Sequence, residues 1–135
     1  MLKIFLSSHG HTASGLKSSV EILTGNAERI TVFDAYVDHS TVQEHLDAFY
    51  ETVGEDDQVL LISDLYGGSV NSVMYTYLTR PNTMLVAGAN LALVLELAMK
   101  DEISEEELNE VIEQSRQMMM MVKLDEASDE EKDFF

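Results

Sequence analysis

Leu2-Lys3-Ile4-Phe5-Leu6-Ser7-Ser8-His9-Gly10 is the stretch on which the reading of the fold turns. A short aliphatic run gives way to small residues and a histidine, as expected for a buried strand that runs into a turn. A later apolar run closes in the same manner, on Asp64-Leu65-Tyr66-Gly67-Gly68-Ser69. A proton-handling side chain at one strand end, with a carboxylate and a glycine-rich turn at another, is how an α/β sheet assembles a site. Ligands of such sheets bind outside the carboxyl ends of the strands.

Working outward, the apolar pattern alternates between short strand-like runs and longer helical ones, which predicts βαβ units and a parallel sheet. The strand candidates are Lys3 to Ser7, Arg29 to Phe33, Val59 to Ser63 and Met84 to Ala87. Each is short, aliphatic and nearly continuous, as strands covered on both faces are. Consecutive βαβ units make the first and third strands neighbours.

The connecting segments carry helical spacing. Leu16, Val20 and Leu23 form one stripe, and Gly25 follows as a stop. Ser40 is placed to cap the next helix, with Val42, Leu46, Phe49 and Val53 facing inward. Val70, Val73, Met74 and Tyr77 mark a third helix. Asn90 caps a fourth, Leu91 to Met99, apolar nearly all round and therefore expected to be well buried. Ser104 and Glu107 form a capping-box pattern that opens a fifth, with Leu108, Val111 and Ile112 inward. Met118 to Val122 reads as a last strand, and the acidic stretch from Asp125 onward as a frayed tail. The expected organisation is one domain over residues 1–135, with 125–135 as its tail.

The chain of 135 residues contains no cysteine, so disulfides and thiolate metal sites are excluded. No apolar run approaches the length of a membrane span or a signal peptide core, and a cytoplasmic location is expected. The net charge of −17 is uneven: residues 101–135 hold 13 of the 25 acidic side chains and 3 of the 8 basic ones. Such a surface disfavours nucleic acid, because it has few cations with which to displace phosphate counterions. It suits solubility, and a protein partner whose docking face is basic.

His9 is the first candidate for chemistry. A neutral imidazole is a good nucleophile near pH 7. A helix starting after Gly10 would aim free N–H groups at a phosphate carried there. Asp64, at the end of the neighbouring strand, could accept the second ring N–H and stabilise the cation formed in transfer; a plain turn or capping aspartate is the competing reading. Gly67-Gly68-Ser69 offers close backbone approach and a hydroxyl, suited to an oxyanion or phosphate. No lysine follows, so it is not a nucleotide-binding Walker loop. His9-Gly10-His11 also reads as a metal pair with Asp64 as third ligand, but His39 and His45 have no evident route to the same point. A phosphoaspartate on Asp64 is disfavoured, since Ser7 and Ser8 stand where a receiver domain carries its acidic pair.

Taken together, Ser8-His9-Gly10, Asp64-Leu65-Tyr66-Gly67-Gly68-Ser69 with Asn71, and Val86-Ala87-Gly88-Ala89-Asn90-Leu91 running into Leu95-Glu96 resemble the IIA component of the mannose family of the bacterial phosphoenolpyruvate-dependent sugar phosphotransferase system. The resemblance covers nearly the whole chain. Two departures are Val70 and Ala92, where members commonly have proline; both touch backbone rigidity rather than chemistry. The resemblance implies a phosphotransferase that relays a phosphoryl group during sugar uptake. His9 would take the group from the phosphocarrier protein HPr and pass it to a IIB subunit. Asp64 would orient His9, and Ser69 with Gly67, Gly68 and Gly10 would hold the phosphate. It further implies an open sheet of four parallel strands with helices on both faces, and a homodimer in which an antiparallel C-terminal strand, matched by Met118 to Val122, crosses to the other subunit. No metal or organic cofactor is required. Alternatives are the phosphoryl-donor subunit of dihydroxyacetone kinase, a regulatory module of the same fold, and a small metal-dependent hydrolase built on His9 and His11.

Overall fold

The computed structural model describes residues 1–124. Four parallel strands, β1 (Leu2–His9), β2 (Ile30–Ala35), β3 (Gln58–Ser63) and β4 (Thr83–Ala87), lie in the order β2-β1-β3-β4. Between and after them come α1 (Thr12–Thr24), α2 (Val42–Tyr50), α3 (Ser69–Tyr75), a short 3-10 turn Thr76–Thr79, α4 (Leu91–Ala98) and α5 (Glu105–Gln117). All four expected strands form: β3 and β4 each begin one residue earlier than expected, β2 runs from one residue later to two residues further, and β1 gains Leu2 at its start and Ser8 and His9 at its end. β1 extends as far as His9, which pairs with Ala35 of β2.

The two faces of the sheet are covered differently. Leu2, Ile4, Leu6, Ile30, Leu60, Ile62 and Val86 point toward α1, α4 and α5, where they meet Ala13, Val20, Leu93, Val94, Leu97, Leu108 and Val111. Phe5, Phe33, Val59 and Leu61 point the other way, onto Val42, Leu46, Phe49, Val70, Met74 and Tyr77 of α2, α3 and the 3-10 turn. The alternation along each strand thus feeds two cores, which is why the runs read as continuously apolar.

The helix signals hold with adjustments: Val53 lies beyond the end of α2, Tyr77 falls in the 3-10 turn after α3, and Met99 lies just past α4. Gly25 closes α1 in the left-handed conformation, φ 70°, but Leu23 lies outside: the buried stripe runs through Ala13, Leu16 and Val20, and Leu23 is 60% exposed. Thr41, not Ser40, caps α2 by accepting from the Glu44 N–H. Ser40 is otherwise engaged, its N–H donating to Asp38 Oδ1 at 2.8 Å and its hydroxyl meeting His45 Nε2 at 3.0 Å. Met118–Val122 forms no strand within this chain; the segment leaves α5 without sheet pairing and its side chains are exposed. A strand needs a partner, and the edges of this sheet are β2 and β4. The expected acidic tail from Asp125 lies outside the described residues.

Candidate functional site

The strand order reverses direction between β1 and β3: from β1 the chain goes outward to β2, then returns past it to β3 and β4. The loops that follow β1 and β3 therefore diverge and leave a crevice at their carboxyl ends. His9 ends β1 and Asp64 follows β3 directly. The topology alone brings these two residues, 55 positions apart, to the same place.

Their contacts are specific. Asp64 Oδ2 accepts from the His9 backbone N–H at 2.9 Å and lies 3.0 Å from His9 Nδ1, with Oδ1 at 3.3 Å. A carboxylate only accepts, so Nδ1 carries the ring proton and Nε2 keeps a lone pair. The imidazole is 42% exposed while Asp64 is 17% exposed, so the carboxylate is sheltered and the ring it contacts is open to solvent. Ser69 Oγ, at the start of α3, stands 3.3 Å from Nε2. Gly68, which precedes it, passes so close to the imidazole that a β-carbon there would lie 3.2 Å from His9 Cε1.

Buried serines form the floor under the site. The Ser7 hydroxyl donates to the Phe33 carbonyl at 2.8 Å and that of Ser63 to Asn71 Oδ1 at 2.9 Å, which ties α3 to the end of β3. Ser8 Oγ accepts from the Ala13 N–H at 2.7 Å while donating to the Gly10 carbonyl at 3.0 Å. With these bonds made, every buried side-chain nitrogen and oxygen among the described residues has a partner.

Two expectations about the turn after β1 change. Two of the N-terminal N–H groups of α1 are not free for a phosphate: Ser8 takes that of Ala13, and Asp34 Oδ1 takes that of Ser14 at 3.0 Å. The Gly10 N–H is also engaged, donating to the Ala35 carbonyl at 2.8 Å. With φ at 62°, Gly10 serves the reversal of the chain. His11 turns away from Asp64 and places Nδ1 3.0 Å from Asp34 Oδ2, so the two histidines engage different carboxylates. Among the described residues, no three metal-ligating side chains converge. Partial burial pushes the Asp34 carboxyl up, but hydrogen bonds from the Ser14 hydroxyl and N–H and from His11 outweigh it and hold it below the usual aspartate range.

One neighbour of His9 escaped sequence reading. Tyr36, just beyond β2, stacks on the imidazole with ring centroids 5.4 Å apart and planes 22° apart, and its hydroxyl bonds Ser69 Oγ. The pairing of His9 with Ala35 puts Tyr36 there, a relation set by strand register that no local motif encodes.

A histidine with Nδ1 tied to a sheltered carboxylate, Nε2 open beside a hydroxyl, and a position at the switch point of a parallel sheet defines a protein suited to group transfer through a nucleophilic imidazole. Comparison with known proteins narrows the class. Residues 3–116 match the EIIA-man family model, described as the PTS system fructose IIA component. The fructose-specific EIIA component of the phosphotransferase system from Bacillus subtilis strain 168 is 25% identical over 111 residues, which span 75% of this chain and 76% of that protein. A structure from Klebsiella pneumoniae ascribed to a phosphoenolpyruvate-dependent sugar phosphotransferase system permease superposes with a TM-score of 0.80 at 26% identity, over 89% of this chain and 90% of that one. The mannose/sorbose-specific IIA subunit of Enterococcus faecalis gives 0.75 at 26% identity, over 93% and 98%.

The chain belongs to this mannose-type IIA family of the sugar phosphotransferase system. It is a phosphoryl-relay subunit, a phosphotransferase that works through a phosphohistidine. HPr and IIB proteins are the standard partners of IIA proteins in general. No helix among the described residues is long and apolar enough to cross a membrane.

Proposed function

We propose that His9 is the phosphoryl-carrying residue, that it takes the group from HPr, and that it delivers it to a IIB subunit in the cytoplasm. The observation that carries this reading is the His9–Asp64 contact, with Nδ1 and Oδ2 3.0 Å apart. It leaves Nε2 as the nucleophile. The Nε2 lone pair forms the new N–P bond as the N–P bond of the donor breaks. Nδ1 keeps its proton, and the positive charge that develops on the imidazole is balanced by the Asp64 carboxylate. Ser69, with the backbone of Gly67 and Gly68, faces the incoming phosphoryl group; Gly10 contributes the turn. Exposure of the imidazole suits a site that must meet two proteins in succession rather than retain a small molecule.

We further infer a single IIA-type domain over residues 1–135 that works as a homodimer. In that dimer Met118–Val122 crosses to pair antiparallel with the open sheet edge of a second copy at β4. Support comes from the apolar, exposed character of the segment and from the half-buried Met84 and Leu85 on β4. Selection of the sugar is assigned to the membrane subunits, because both substrates of a relay are proteins.

The test is to incubate the protein with phosphoenolpyruvate, enzyme I and HPr and to map the phosphate. An acid-labile, alkali-stable label on His9 that is lost in His9→Ala is expected, and Asp64→Ala should slow its appearance by up to about 10⁴-fold, the loss that follows removal of a triad's orienting carboxylate. Label on Asp64, on His11, or nowhere would overturn the assignment.

A further inference from the structure

Three elements converge on the open edge of the His9 ring: the end of β1, the residue after β2, and the first turn of α3. The residue after β2 is Tyr36, whose backbone sits at φ 68°, in the left-handed region. Side chains other than glycine and the short polar residues adopt this region at a cost, so something must hold the tyrosine there. Its two contacts both belong to the site. The phenol ring lies over the imidazole, and the phenol hydroxyl bonds Ser69 Oγ. Tyr36 is nonetheless 68% exposed, so packing against the core does not account for its place.

The proton positions along this line are determined from one end. Asp64 only accepts, so Nδ1 donates to it and Nε2 can only accept. Ser69 Oγ, 3.3 Å from Nε2, must then donate toward it. A hydroxyl has one proton, so Ser69 accepts from Tyr36, whose O–H is the donor. The line runs Tyr36 O–H to Ser69 O–H to Nε2, each group polarising the next.

We propose that Tyr36 is a positioning residue for phosphoryl transfer at His9, fixing the plane of the imidazole by stacking and the direction of the Ser69 hydroxyl by donating to it. This rests on His9 being the phosphoryl carrier. When the Nε2–P bond forms, the lone pair that accepted from Ser69 is consumed. The Ser69 proton then turns to a phosphoryl oxygen without losing its own donor, since Tyr36 still supports it. No proton leaves the site, so the arrangement serves the forward and reverse transfers alike. Orientation set before the reaction is what in-line phosphoryl transfer requires.

The test compares wild type, Tyr36→Phe, Tyr36→Gly and His9→Ala in single-turnover transfer from phosphorylated HPr, varied in concentration. Tyr36→Phe keeps the stack and loses the donor, and should lower the rate at saturating HPr by about 3- to 10-fold, the equivalent of one neutral hydrogen bond. Half-saturation should stay within about twofold. Tyr36→Gly loses both contacts and should be slower still, by about 10- to 30-fold. Its Tm should not fall, because the left-handed backbone no longer carries a side chain. A Tyr36→Phe protein as fast as wild type overturns the proposal. So does an effect confined to half-saturation, which makes Tyr36 a docking contact for HPr. Wild type that takes up no label, or His9→Ala that keeps it, brings down the His9 assignment and this proposal with it. A labelled wild type with an unaffected Phe variant removes the role of Tyr36 alone.

Discussion

At the scale of single residues, the site depends on how closely the glycine turn approaches His9. The Gly68 backbone has φ −75° and ψ 168°, a conformation open to any residue, so strain is not what requires glycine there. Space is: an added β-carbon would stand 3.2 Å from His9 Cε1. Gly67 is the opposite case, with φ 76° and nothing within 4 Å of an added β-carbon. Gly68→Ala is therefore expected to displace the imidazole by a few tenths of an ångström and slow phosphoryl transfer about tenfold, with Tm nearly unchanged. Gly67→Ala should cost about 1–2 kcal/mol of stability through its backbone, and change the transfer rate less than Gly68→Ala does. Thermal unfolding and single-turnover rates on the two variants check both halves, and equal rates would show that the approach of Gly68 does not matter. His9 and Asp64 could be singled out in the sequence because each follows an apolar run, and strand ends are visible there. Tyr36 could not, since its position follows from the register of β2 against β1 and from a turn whose positive φ no tyrosine announces.

At the scale of elements, caps that satisfy backbone groups within a few residues were legible, and those that depend on neighbours were not. Ser104 and Glu107 form the reciprocal capping box that their spacing foretells. The α2 cap fell one residue later than expected because Asp38 and His45 already engage Ser40, and these are contacts of the folded loop. Leu23 fits a helical stripe as well as Thr24 does, yet Leu23 is exposed and Thr24 half-buried, its hydroxyl donating to the Val20 carbonyl at 2.9 Å. Asn90 does more than its cap pattern indicates. Its Oδ1 accepts from the Leu93 N–H at 2.8 Å, while its Nδ2 donates to the Ser115 carbonyl at 3.0 Å, fastening the start of α4 to the last turn of α5. Asn90→Ala removes both bonds and is expected to destabilise the fold by about 2–3 kcal/mol. Asn90→Ser keeps a capping oxygen and loses only the bridge, for a smaller cost of about 1 kcal/mol. Denaturant unfolding of both variants would separate the two contributions: equal losses would show that the cap contributes nothing, and a cap-retaining variant as stable as wild type would show that the bond to Ser115 contributes nothing.

At the scale of the whole molecule, the fold is complete except at an edge. The doubly covered sheet was legible because both cores draw on the same short runs. The fate of Met118–Val122 was not, because an apolar run becomes a strand only with a partner, and within this chain the segment pairs with neither open edge of the sheet. Met119 and Met121 are 85% and 80% exposed, and Leu124 is fully so. Exposed apolar side chains in sequence, next to a sheet with an unpaired edge, are an aggregation hazard unless a second copy covers them. The charge complicates the test, since each copy carries −17 and residues 125–135 add six acidic side chains to one end. Repulsion between copies is largely screened at 0.15 M salt, where the Debye length is about 8 Å. Under those conditions the full chain should sediment as a dimer, and so should a chain ending at Leu124, which loses the acidic tail but keeps the apolar segment. A chain ending at Gln117 should be monomeric or aggregate. If the full chain is monomeric across the micromolar range, strand exchange is ruled out. If the chain ending at Gln117 remains a dimer, the interface lies elsewhere on the molecule.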